Sequence, residues 1–231
     1  MDKNNTKIAI IEDDENLRFL IKHRLEAEGY KIIETANGAE AEELIKKENP
    51  DVVLLDWMLP GKMGDEICQG LRDSGFNNII IMTTAKGQDV DKINAYKFGV
   101  TDFMAKPFNI EVLSALIENK LSFSKMISEN DEVMEFNGFK HQPSIHLLTK
   151  DGVRTELTIL ENRILFHFLK NPNNVISRED LIKTVWGYSS DVNTRTLDMH
   201  IVRLRKKIEQ NPESPTQLET VRGVGYRFNV A

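Results

Sequence analysis

The strongest constraint on the fold is a series of apolar runs of strand length, each ending in residues able to do chemistry. KIAII (7–11) leads into Glu12 and Asp13, and VVLL (52–55) into Asp56. IIIM (79–82) leads into Thr83 and Thr84, and the apolar 103–105 into Lys106. Such continuous runs are strands buried on both faces, the pattern of a parallel sheet. A weaker run of the same β-branched bias lies at 31–35. Amphipathic stretches at 16–28, 39–47, 65–72, 90–98 and 111–122 separate the runs. In the first of them Leu17, Leu20, Ile21 and Leu25 recur at helical spacing and Gly29 follows as a stop. Repeated strand–helix alternation specifies a doubly wound α/β domain, whose ligands sit at the carboxyl ends of the strands.

At those ends the sequence places Glu12, Asp13 and Asp56, with Thr84 and Lys106 in corresponding positions. Clustered carboxylates repel one another unless a cation neutralises them. Their hard oxygens suit Mg²⁺, which keeps several waters and favours one or two carboxylates plus phosphate. A lysine and a hydroxyl complete a site for an anion with several oxygens, such as a phosphoryl group.

The second half changes character. Short strand-like runs at 133–136, 139–141, 145–149 and 153–157 include Asp151-Gly152, a hairpin turn signal. Helical patterns follow at 159–170, 178–185 and 194–209, with Ser177 and Asp180 spaced as a capping pair for the middle one. The chain closes on a hairpin, 219–221 and 226–230, around Arg222-Gly223-Val224-Gly225. A polar stretch, SKMISEND, lies between the halves, so the expected division is a domain at 1–124, a linker at 125–131 and a second domain at 132–231. Charge divides in the same way. The net charge of −6 is the balance of −7 over residues 1–124, −3 over 125–135 and +4 over 136–231. An acidic domain is joined to one of the sign that meets a polyanion.

The helix at 194–209 carries the clearest binding pattern. Leu197, Ile201, Leu204 and Ile208 form an apolar stripe, while Arg195, Thr196, Met199, Val202, Arg203 and Lys206 fall on the opposite face. That face can neutralise phosphates and touch base edges in a major groove, with Met199 and Val202 suited to thymine methyls. A single cysteine, Cys68, excludes an internal disulfide and a Cys-based zinc site, and fits a reducing cytosol. The polar start of the chain lacks the apolar segment of a secretory signal, and no apolar run is long enough for a bilayer. A cytoplasmic location without a membrane partner is the expectation.

IIEDDE, VVLLDWMLPGKMG, IIIMTTA and DFMAKPF together resemble the four sequence blocks of a bacterial receiver domain, and the second half resembles a winged-helix effector. The whole chain therefore resembles a two-component response regulator of the OmpR/PhoB family. The resemblance implies a flavodoxin-like (CheY-like) five-stranded parallel receiver followed by a winged helix-turn-helix domain. It implies that Asp56 accepts a phosphoryl group from the phosphohistidine of a sensor histidine kinase. Mg²⁺ would be held by Glu12, Asp13, Asp56 and the Met58 backbone carbonyl. Lys106 and Thr84 would contact the phosphoryl group, Phe103 would be the switch aromatic, and Pro107 would follow a cis peptide bond. Met58 and Lys86 would tune the lifetime of the phosphoryl group.

In the effector the resemblance adds His200 and the wing residue Arg222 to the DNA-binding set, and a loop after Trp186 for contact with RNA polymerase. Val202 stands where many members carry Arg. Phosphorylation would promote receiver homodimerisation and binding to tandem half-sites on promoter DNA. On the dimer face the usual charges at two positions become Val112 and Leu116, facing Lys92 and Asp102. A third pair, Lys97 with Glu118, has its signs reversed, so attraction within a homodimer is kept. Such a chain is not an enzyme in the usual sense: it catalyses only its own phosphorylation and dephosphorylation. Two other readings use the same residues. One is a DNA-binding regulator independent of phosphorylation. The other is an aspartyl-phosphate hydrolase of the haloacid dehalogenase kind, which wants a second Asp where this chain has Met58.

Overall fold

The computed structural model describes residues 3–85, 99–128, 133–186 and 194–230, which form two units dividing after Ser122. In the first unit β1 (Lys7–Ile11), β2 (Lys31–Thr35), β3 (Val52–Asp56), β4 (Ile79–Ala85) and β5 (Asp102–Lys106) make one sheet in the order β2-β1-β3-β4-β5. Every pairing is parallel. Helices α1 (Glu15–Ala27), α2 (Gly38–Glu48), α3 (Gly64–Asp73) and α4 (Ile110–Ser128) accompany the strands. The helix expected at 90–98 lies outside the described residues.

Both faces of the sheet are covered. Ala9, Ile11, Val53, Leu55, Ile80 and Met82 join Ala41, Ile45, Ile67 and Leu71 of α2 and α3 in one core cluster. The alternate strand residues Ile8, Ile10, Val52, Leu54, Ile79 and Ile81 are equally buried. Side chains alternate across a strand, so continuous apolar runs are what a sheet covered on both sides needs. Polar caps set the helix starts: Asp14 accepts from the N–H groups of Asn16 and Leu17, and Asn37 from that of Ala39.

α4 runs on to Ser128, so the first part of the expected linker, residues 125–128, continues the helix. Nothing between 111 and 128 breaks a helix, because the stretch has neither glycine nor proline. Residues 129–131 lie outside the described set.

In the second unit β6 (Met134–Phe136), β7 (Phe139–Gln142), β8 (Leu147–Lys150) and β9 (Val153–Glu156) form an antiparallel sheet in sequence order. Lys150 pairs with Val153 around Asp151 and Gly152, both at positive φ (51° and 79°), as a two-residue hairpin turn of primed type requires. β8 begins at Leu147, two residues later than expected, because Pro143–Ile145 forms a 3-10 turn. Helices α5 (Ile159–Lys170), α6 (Arg178–Trp186) and α7 (Thr194–Ile208) follow. Thr158 and Glu161 make a reciprocal capping box for α5, and Ser177 Oγ accepts from the Asp180 N–H at the start of α6. β10 (Val175–Ser177), β12 (Gly225–Phe228) and β11 (Leu218–Val221) form a small three-stranded sheet. Three helices with a terminal β-hairpin make this unit a winged helix.

Candidate functional site

The strand order reverses between β1 and β3, and that is where the carboxylates meet. Ile11 pairs with Leu55, so Glu12 and Asp56 are the next residues on adjacent strands. Both are buried, at 2% and 5% exposure, whereas Asp13 is exposed. One oxygen from each of Glu12, Asp13 and Asp56 can be chosen so that all three lie within 4.8 Å of one another. Lys106 ends β5 and donates its Nζ to Asp56 Oδ2 at 2.6 Å and Glu12 Oε1 at 2.7 Å. Its bond to Pro107 is cis. Asp56 pairs with Thr83 in register, which places the buried Thr84 one residue beyond it on the neighbouring strand. Phe103 lies beside Met82 and packs, half-buried, against the core cluster.

Electrostatics follow from this crowding. Burial pushes the Glu12 carboxyl up to about 7, against the Lys106 hydrogen bond and with the Asp56 charge. Burial alone would lower Lys106, but its hydrogen bonds to Asp56 and Glu12 hold it above the ordinary lysine value. Lys106 therefore bonds two of the three clustered carboxyl groups. The donor set is all hard oxygen, and the pressure on Glu12 to take up a proton is what a divalent cation would relieve. The residues fit Mg²⁺.

Residues outside the expected set support the site. Arg18 Nη1 donates to the carbonyls of Glu12 at 2.7 Å and Asp13 at 3.3 Å, holding the loop after β1. The Met58 N–H reaches Asp56 Oδ1 at 3.2 Å, and the Met58 side chain is exposed. Gly64 donates its N–H to the Trp57 carbonyl, and a Cβ there would lie 2.3 Å from the Asp56 carbonyl oxygen. The loop can therefore fold back over β3 only with glycine at 64, a signal the sequence carried in PGKMG. Gly64→Ala should cost about 1–3 kcal/mol, the usual penalty of overpacking, and slow any chemistry at Asp56. Urea unfolding and a phosphorylation time course measure both effects, and wild-type values for each would contradict this role.

On α7 the apolar stripe is buried as expected. Arg195, Val202 (48% exposed) and Lys206 face outward, with Met199 and Arg203 half-exposed. Thr196 and His200 need correction. Both are buried, at 2% and 1%, rather than on the exposed face of the helix. The buried stripe is wider than the Leu/Ile pattern because α7 packs against both α5 and α6, and the His200 ring lies 5.5 Å from that of Trp186.

Arg222 is exposed in the turn between β11 and β12. That hairpin is tied to α7. Arg205 donates from Nε to the Leu218 carbonyl at 2.9 Å and from Nη2 to Thr220 Oγ1 at 2.8 Å. The Tyr226 hydroxyl donates to Asp198, which also takes Arg178 Nε at 3.3 Å, and the Arg178 guanidinium covers the Tyr226 ring. Wing and helix thus present their cations as one piece. Asp198, Arg205 and Tyr226 carried no such signal, since their partners are distant in sequence.

Four residues of the expected dimer face are described: Asp102, Val112, Leu116 and Glu118. Asp102 is buried and lies 2.6 Å from the Nζ of the buried Lys120. Glu118 lies 3.4 Å from Lys3 Nζ. Val112 is 57% exposed and Leu116 half-buried, one helical turn apart. Lys86, Lys92 and Lys97 lie outside the described residues. No described helix is long and apolar enough to cross a membrane.

Comparison with known proteins agrees with this geometry. Residues 8–118 match the model of the response regulator receiver domain, and residues 152–228 that of the transcriptional regulatory protein C-terminal domain. The chain is 35% identical to the transcriptional regulatory protein ResD of Bacillus subtilis, over 98% of this chain and 97% of that protein. It is also 35% identical to the DNA-binding response regulator MtrA of Mycobacterium tuberculosis, over 98% of each. Among solved structures, the response regulator DrrB, described as a Thermotoga maritima OmpR/PhoB homolog, superposes with a TM-score of 0.51 at 29% identity over 97% of this chain and 99% of that one. A mutant of RitR gives 0.80 at 22% identity over 98% of this chain and 100% of its own, a likeness of fold.

Proposed function

This chain belongs to the OmpR/PhoB family of response regulators, a receiver joined to a DNA-binding domain, and from that premise we propose that phosphorylation of Asp56 switches its binding to promoter DNA. The observation that carries this reading is the meeting of Glu12, Asp13, Asp56 and Lys106 at the point where the strand order reverses.

An Asp56 oxygen attacks phosphorus, the phosphorus–nitrogen bond of a sensor kinase's phosphohistidine breaks, and the imidazole leaves. A carboxylate is a weak nucleophile, but phosphoryl transfer asks mainly for position and charge neutralisation. The sheet fixes Asp56, and Lys106 stands 2.6 Å from it as a lasting cation. Glu12, Asp13, Asp56 and the Met58 carbonyl would hold Mg²⁺, which supplies neutralisation of the phosphoryl oxygens. The product carries roughly −1.5 to −2 additional charge in a site already crowded with carboxylates. The Thr84 hydroxyl donates to it and Phe103 moves inward behind Thr84. Moving a two-state equilibrium from 1:99 to 99:1 takes about 5.5 kcal/mol, within reach of a few charge-assisted hydrogen bonds and a repacked ring.

The switched receiver then pairs with a second copy, bringing two effector units onto tandem half-sites in the cytoplasm, where they meet RNA polymerase. With Asp102 held internally, this pairing relies on the apolar Val112 and Leu116. Arg195, Met199, Val202, Arg203 and Lys206 face the major groove and Arg222 the minor groove, where a narrow channel attracts arginine. Arg222→Ala should weaken binding and lower the slope of log affinity against log salt by about one, as expected when a single cation leaves the phosphate backbone. An unchanged slope and affinity would remove Arg222 from the interface.

Acetyl phosphate with Mg²⁺ followed by phosphate-affinity electrophoresis tests the phosphorylation itself. A retarded band that EDTA abolishes supports the reading. No band points to a phosphorylation-independent regulator, and continuous release of phosphate to a hydrolase.

A further inference from the structure

Four of the five histidines lie in the second unit, and one of them, His141, is wholly buried with an idle ring nitrogen. It sits on β7 between Met134 of β6 and Leu148 of β8. Its Nε2 lies 2.6 Å from Asn162 Oδ1 on α5. Asn162 is also wholly buried and donates its Nδ2 to the Pro143 carbonyl at 3.0 Å. The amide hydrogens point to that carbonyl, so its oxygen accepts and the histidine carries its proton on Nε2. Nδ1 is left as a bare lone pair without a hydrogen-bond partner. A second proton has only Nδ1 to bind, and there it makes a buried cation with nothing to accept from it.

The surrounding charges do not compensate. His146 is the ionisable group acting on His141, and Arg163 acts on His146, so both neighbours are positive or become so in acid. Arg163 donates to the Val185 carbonyl. Glu161, beside Asn162 on α5, is taken by Lys207 at 2.7 Å and by the Thr158 N–H. Glu135 of β6 pairs with Lys140 of β7 at 2.9 Å, both exposed. Lys150 of β8 lies over the Phe139 ring.

We propose that the His141–Asn162 bond makes the DNA-binding unit acid-sensitive: Nδ1 cannot hold a second proton while the four-stranded sheet is packed on α5, so the unit loses folding stability as pH falls. Burial holds His141 down to about 4, against the Asn162 hydrogen bond and with the His146 charge. An unfolded histidine titrates near 6.5. Stability from this group is therefore complete above pH 6.5 and drains as pH falls towards 4. At pH 5 the folded-to-unfolded ratio should be down about 30-fold from pH 8 through His141 alone.

The full chain, His141→Gln and His141→Leu/Asn162→Leu are compared by urea unfolding of the second unit at pH 8 and pH 5. Gln keeps a donor for Asn162 and cannot titrate. The wild type should lose about 30-fold more stability between the two pH values than either variant. Variants that fold at pH 8 and then match the wild-type pH dependence would overturn the proposal. If neither variant folds, the ring nitrogen signals of wild-type His141 decide: an Nε2–H tautomer still neutral at pH 5 supports it, and a midpoint near 6.5 overturns it.

Discussion

Asp56→Asn should take phosphoryl incorporation from acetyl phosphate and Mg²⁺ down by at least about three orders of magnitude, to background, with the fold intact. Positioning and charge without the nucleophile leave only residual reaction. Asparagine fills the same space at the end of β3 and keeps an oxygen for the Met58 N–H, which now reaches Oδ1 at 3.2 Å. It removes the atom that attacks and the charge that faces Lys106 at 2.6 Å. It also removes one of three crowded carboxylates, and the Asp56 charge is among the causes that raise Glu12. The thermal midpoint of the first unit should therefore hold or rise. Intact-mass spectrometry, which reads the added phosphoryl group directly, and a melting curve separate the effects. A variant that still gains the phosphoryl group would move the acceptor elsewhere, and one that melts early would make Asp56 a structural residue first.

Lys120→Leu should cost about 3–5 kcal/mol, the penalty for leaving the charge of Asp102 buried and unpaired. The Lys120 side chain is wholly enclosed, its Nζ 2.6 Å from Asp102 Oδ2. Asp102 Oδ1 accepts the N–H of Phe103 at 2.8 Å, so the same carboxylate steadies the start of β5. Lys120→Leu/Asp102→Asn should regain most of the loss, because the amide keeps an oxygen for that N–H and carries no charge. Urea unfolding of the first unit reads each variant. A single substitution without cost would show that the pair carries no buried charge, and Asp102 would then be free to act across an interface.

The strands and the site were legible in the sequence for a common reason. β1 occurs with the expected bounds because a continuous apolar run has only one use in a sheet covered on both faces, and the weaker β-branched run at 31–35 forms the edge strand β2. Once the strands are parallel and the order reverses between β1 and β3, the residues after Ile11 and Leu55 must be neighbours. What escaped depends on partners far along the chain. β10 is three residues long and exists through its pairing with β12, fifty-two residues later in the chain by the Val175–Arg227 register. Thr196 falls on the polar side of a helical projection and His200 joins the set through the resemblance, yet both are buried, the His200 ring 5.5 Å from that of Trp186. Asp102 reads as a surface acid until α4 folds Lys120 onto it. The wing reads as a bare hairpin until Arg205 and Tyr226 bind it to α7.

The measurement that bears most directly on the switch is the affinity of wild type and Asp56→Asn for genomic DNA fragments, with and without a phosphodonor and Mg²⁺, at one salt concentration. Holding salt constant is required because phosphate contacts make affinity steeply salt-dependent. With Asp56 as the switch, the phosphodonor tightens wild-type binding and leaves Asp56→Asn unchanged. Equal binding by both proteins in both conditions would contradict that role, and would leave the carboxylate cluster without a part in DNA recognition.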